Sequence, residues 1–134
     1  MLIIDSRARE PGGSLDAFQI RIAPAIEGIR GVSLLYARKA NPDDEAAELY
    51  WGIRIREFGL PIRSAANADS YTFSIPVNSA QGFRTLNRAE SDFSRVEVQQ
   101  PATPIYRLTV EITLPGGERP GLVDEWLLLV GLHY

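Results

Sequence analysis

The chain has 134 residues, 45% of them apolar and 23% charged, which fits one domain with a real core and excludes a disordered chain. Its net charge is −3, from 14 basic and 17 acidic residues interspersed along the sequence, and this argues against a nucleic-acid partner. With no cysteine and a single histidine, His133, it has no means of building a disulfide scaffold, a thiolate or His-rich metal site, or a Cys nucleophile.

No apolar run approaches the roughly 18 to 20 residues of a membrane span. The longest, Trp126 to Val130, is strand-sized. The N-terminus lacks a basic region ahead of an apolar core and a small-residue cleavage site. The expectation is therefore a protein that stays in the cell where it is made, without a membrane partner. Of the 14 cations only Lys39 is lysine. Arginine suits planar and interface pairing, although genomic base composition produces the same bias.

In chain order, Ile3-Ile4 fits a short first strand, and Pro11-Gly12-Gly13-Ser14 is a turn. Phe18, Ile20 and Ile22 alternate with Gln19 and Arg21, the period of a half-buried strand that Pro24 should end. Gly31 to Ala37 gives a third strand. The acidic stretch from Asn41 to Glu48 reads as a loop or a single helical turn capped by Asp43. Leu49 to Ile55 is a strand with Leu49, Trp51, Ile53 and Ile55 on one face and Tyr50, Gly52 and Arg54 on the other.

Gly59-Leu60-Pro61 breaks that strand, and Arg63 to Asp69 is a polar loop. Tyr71, Phe73 and Ile75 form the next alternating run. Asn78 to Asp92 has no clear period and is the longest loop candidate. Phe93 to Val98 is a strand. Leu108, Val110, Ile112 and Leu114 carry the best alternation in the chain. Trp126 to Leu132 is a near-continuous apolar run suited to a central strand covered on both faces. About eight short strands with almost no helix predict a single-domain antiparallel β-sandwich, jelly-roll-like, over residues 1–134.

Candidate chemistry is sparse. Asp5, Glu10 and Asp16 could offer oxygen ligands to a small cation, but they are better read as acceptors of backbone N–H groups or partners of Arg7 and Arg9 across the turn. Asp43-Asp44-Glu45 with Glu48 is better read as a solvated acidic loop than as a metal site. Tyr50, Trp51 and Tyr71 could furnish an aromatic platform for sugar, or simply be core and cross-strand residues. No serine lies in a nucleophile-elbow sequence, and the Gly-Gly pairs precede no helix with Lys-Ser/Thr. The expectation is a non-enzymatic protein with no catalytic residue, cofactor or metal.

The pairing of Ile4-Asp5-Ser6-Arg7-Ala8-Arg9 with Asp16-Ala17-Phe18-Gln19-Ile20 resembles the "IDSRDR … S-x-DF-x-I" pattern of small β-sandwich structural proteins of double-stranded DNA viruses, tailed phages included. Strands of the type Val32-Ser33-Leu34-Leu35, Tyr50 to Ile55 and Tyr106 to Val110 follow in the same order. The similarity is sharp over about the first 36 residues and loose afterwards. Ala8 replaces an acid, and Ala17 separates Asp16 from Phe18.

The resemblance implies a virion component, a minor capsid (decoration or cement) protein first and a tail or connector subunit second. It would be homo-oligomeric, a trimer among the options, seated on major capsid protein or other virion proteins. In the motif Phe18 would anchor the core while Asp5, Arg7 and Asp16 lock the turn through charge-assisted hydrogen bonds. Arg84, Arg88, Tyr50 and Trp51 are the candidate contact residues, chosen for loop position or for arginine and aromatic character. A carbohydrate- or ligand-binding sandwich is the competing expectation, since fold alone does not decide function.

Overall fold

The computed structural model describes residues 1–41, 50–63, 70–76, 82–86, 96–98, 103–114 and 125–134. In chain order the strands are β1 (Leu2–Asp5), β2 (Ala17–Ile26), β3 (Gly31–Asn41), β4 (Tyr50–Ile55), β5 (Ile62–Arg63), β6 (Ser70–Tyr71), β7 (Phe73–Pro76), β8 (Gly82–Leu86), β9 (Val96–Glu97), β10 (Ile105–Thr113) and β11 (Leu127–His133). Among the described residues the only helical pieces are two 3-10 turns, Ser6–Ala8 and Arg56–Phe58.

The strands form an all-β sandwich of two antiparallel sheets. One sheet runs β1-β11-β3-β8, with β9 also paired to β3, and the other runs β2-β10-β4-β7. Leaving aside β5, β6 and β9, the described strands follow jelly-roll order: first, last, third and sixth in one sheet, second, seventh, fourth and fifth in the other. β1 and β2 therefore lie in different sheets, and the Pro11–Ser14 turn carries the chain from one layer to the other. Glu10 N–H donates to the Gln19 carbonyl at 2.7 Å, holding the start of that crossing against β2.

The period-2 pattern explains the core. Leu108, Val110 and Ile112 of β10 face inward with Phe18 and Ile20 of β2 and Ile53 and Ile55 of β4. Opposite them stand Ile4, Leu128, Val130, Leu34 and Ala37 of the other sheet. Burying each such large side chain stabilises the fold by about 1.5–3 kcal/mol relative to exposure, before conformational entropy is counted.

Three expectations need correction. Pro24 does not end β2. The strand continues to Ile26 through a register shift in which Ile105 pairs with Ile26 but Arg107 with Arg21, so the residues around Pro24 bulge out of the ladder. β2 is the outermost strand of its sheet, and proline is tolerated there because its missing N–H has no neighbour to serve.

The stretch Asn78 to Asp92 is not loop throughout, because Gly82–Leu86 forms β8 and pairs with Ala37 to Asn41 of β3. The rest of that stretch lies outside the described residues, as do Asp43, Asp44, Glu45 and Glu48.

β11 is central, as the apolar run suggested, yet it is covered fully on one face only. Leu128 and Val130 are buried, whereas Leu127 and Leu129 on the outward face are half-buried.

The outward face of β4 carries a close contact. Gly52 lies under the ring of Tyr71, and a Cβ at Gly52 would stand 2.1 Å from that ring. Thr72 ties the adjoining chain down, donating to the Gly59 carbonyl at 2.7 Å and accepting the Ile55 N–H at 2.9 Å.

Candidate functional site

The N-terminal motif forms one interlocked turn. Asp5 is extended (φ −111°, ψ 122°) and caps the Ser6–Ala8 turn, its Oδ1 accepting the Arg7 N–H at 2.9 Å. The Arg7 guanidinium reaches back over the same carboxylate, with Nη2 at 2.6 Å and Nε at 3.0 Å. That bond to Arg7 holds the Asp5 carboxyl below the usual range, against a smaller opposing effect of burial. The expected Asp5–Arg7 lock is present.

Arg9 does not pair with either motif aspartate. Its Nη1 donates to the Ser6 carbonyl at 2.7 Å and to Glu125 at 3.1 Å, just ahead of β11. Ser6, fully buried, donates its hydroxyl to Glu125 and accepts the Trp126 N–H at 2.9 Å. The Ser6 hydroxyl first, and Arg9 second, hold the Glu125 carboxyl below its ordinary value. Trp126 then closes the site: its indole N–H donates to the Leu15 carbonyl at 2.8 Å, and its ring meets Phe18 at 5.4 Å, tilted by 50°.

Phe18 is the core anchor the motif required. Asp16 is 6% exposed and accepts the Ser14 hydroxyl at 2.8 Å, so it orders the turn locally and does not join Asp5. Gly13 is demanded by this packing, since a Cβ there would meet the Phe18 Cβ at 2.7 Å. Glu10 pairs with Arg107 of β10 at 3.1 Å. The three acids proposed as a cation site are thus each engaged with other groups, and among the described residues no three His, Cys, Asp or Glu side chains gather at metal-binding distance.

Asp5, Arg7, Arg38, Glu125, Trp126 and Leu127 line a shallow pocket over this lock. Two carboxylates and two guanidiniums balance one another there.

The proposed contact residues fare differently. Trp51 is 1% exposed and packs in the core with Ile53 and Ile55, so it presents nothing to a partner. Tyr71, also 1% exposed, has its ring against Gly52, so Trp51 and Tyr71 provide no sugar platform. Tyr50 opens β4 opposite Pro76, and Arg84 lies in β8 opposite Lys39. Arg88 lies outside the described residues.

Sequence reasoning missed one pair that touches on chemistry. Ser33 Oγ and His133 Nε2 are 2.9 Å apart across β3 and β11. Ser33 is 8% exposed and set against Gly131 and Leu35 on the flat of a sheet, which leaves little approach to its hydroxyl. The pair reads as a cross-strand tie.

The chain matches no known protein-family model, and no curated protein matches it.

Proposed function

We propose that this chain is a non-enzymatic structural subunit of a double-stranded DNA virus or tailed phage, and within that class a minor capsid protein that decorates and stabilises the particle. The observation that carries this reading is the motif itself. Ile4 to Arg9 and Asp16 to Ile20 resemble the virion pattern in sequence, and Asp5, Ser6, Arg7, Arg9 and Phe18 are engaged in holding the first turn against the start of β11. Such an arrangement fixes the shape of the first turn.

Two further features support it. A jelly roll is an architecture used by viral capsid proteins, although lectins and cupins use it as well. The sheet containing the lock also turns an apolar, half-exposed row outward, as a protein meant to be assembled requires. The partners under this reading are the major capsid protein or other virion proteins, and the protein resides in the particle.

Mass spectrometry and immunogold electron microscopy of purified particles from the source of the chain test this. Stoichiometric presence with label over the head is the expected result. Label at one vertex or along the tail would reassign it to a connector or tail subunit. Absence from intact particles would overturn the reading.

A further inference from the structure

The phase of the β1–β11 ladder is fixed by Ser6, whose backbone N–H donates to the Trp126 carbonyl at 3.0 Å in register with Leu2↔Val130 and Ile4↔Leu128. The peptide groups of Leu2, Ile4 and Ser6 therefore turn toward β11, and those of Ile3 and Asp5 turn away from it. Among the described residues no strand pairs with that outward edge. Ile3 itself is 62% exposed, and its register neighbours continue an outward apolar row across the sheet: Ile3 opposite Leu129, Leu129 opposite Tyr36.

The other outermost strands carry features that discourage pairing. β2 contains Pro24 and the exposed Arg21, β7 ends in Pro76, β8 has Arg84 at its centre, and β9 is two residues long with Glu97 exposed. β1 has no proline, and its only charge is Asp5 at the end next to the lock.

We propose that β1 is a dimerisation edge: a second copy of the chain adds its own β1 antiparallel about a two-fold axis, merging the two sheets into one. The edge is self-complementary. Centring the pair on Ile3 makes Ile3 meet Ile3 in a hydrogen-bonded pair, and the next such pairs set Asp5 of one copy opposite Met1 of the other. The one charged side chain of the strand thus avoids its own copy. The two Ile3–Leu129–Tyr36 rows become a single apolar band across the junction. Such a short junction gives a reversible dimer at the small end of protein interfaces. The proposal deepens the homo-oligomeric part of the virion reading, and its test is independent of the particle experiment: a monomer would sink this edge and leave particle localisation untouched.

Sedimentation equilibrium of the full chain over a wide concentration range is the experiment. The expected result is a monomer–dimer equilibrium of the 14.9 kDa chain. Ile3→Pro removes an N–H that points away from β11, so it should weaken the dimer at least about tenfold while the monomer keeps its circular dichroism. Ile3→Asp, which brings two carboxylates together at the axis, should do the same, and Arg21→Asp on the opposite sheet should change nothing. A wild-type monomer at all concentrations, a trimer, or a dimer that survives both Ile3 variants would overturn the proposal.

Discussion

Ser6 and Trp126 are joined by two hydrogen bonds: the Ser6 N–H donates to the Trp126 carbonyl at 3.0 Å, and the Ser6 hydroxyl accepts the Trp126 N–H at 2.9 Å. A residue in the first turn thereby holds the entrance to β11, 120 positions away. Ser6→Ala should leave the buried Trp126 N–H without its acceptor and remove one of the two donors to Glu125, with Arg9 remaining. The expected loss is about 1–3 kcal/mol in urea unfolding. The Glu125 carboxyl should also move back up toward its ordinary pKa, read by NMR titration. An unchanged midpoint would show that the lock is dispensable.

Thr72 is fully buried and serves two backbone groups at once. Thr72→Val keeps the shape and removes the hydroxyl, stranding the Ile55 N–H and the Gly59 carbonyl. A destabilisation of about 1–3 kcal/mol is expected, and Thr72→Ser should be milder because the hydrogen bonds remain. Equal losses for the two variants would assign the effect to packing instead.

Gly52 owes its identity to the ring above it. Gly52→Ala should displace Tyr71 and cost about 1–3 kcal/mol through overpacking. In the background of Tyr71→Ser the same substitution should cost much less. A double-mutant cycle measures that coupling, and additive effects would count against the contact.

Acid should loosen the lock in a defined direction. Asp5 and Glu125 have folded-state pKa values below their unfolded ones, so their contribution is present above the unfolded value, about pH 4, and is lost as pH falls through the folded value. The Glu125 side chain is 44% exposed and that of Asp5 23%, so solvent screening keeps each contribution small. The fall in thermal midpoint between about pH 5 and pH 2 should be shallower in Asp5→Asn/Glu125→Gln than in the wild type. Identical profiles would remove these groups from the account of acid stability.

The sandwich was legible because its strands alternate strictly where one face is buried. Leu108, Val110 and Ile112, like Phe18 and Ile20, stand inward as their spacing required. The same spacing had placed Trp51 beside Ile53 and Ile55, and that periodicity proved the better guide than its aromatic character, which suggested a contact. β8 escaped notice because Phe83-Arg84-Thr85-Leu86 offers too short an alternation to read as a strand, and Asn78, Ser79, Gly82 and Asn87 around it gave the whole stretch the look of a loop. The bulge at Pro24 escaped because proline's veto on a ladder depends on whether the strand is an edge, which is a property of the whole sheet. Within the motif, the Asp5–Arg7 pair is local and was readable. Glu125 and Trp126 carry no local sign of their role, since only the jelly-roll path brings β11 alongside β1.

The bulge in β2 also bears on what the molecule does at high local concentration, where sheet proteins risk growing into fibres. Open-ended growth needs two compatible edges on each subunit, one to give and one to receive. Around Pro24 the β2 margin is kinked, lacks one donor and presents Arg21, so an incoming strand finds no straight ladder to join. Packed densely beside its neighbours, a subunit of this kind ends a run of strands at β2 instead of extending it.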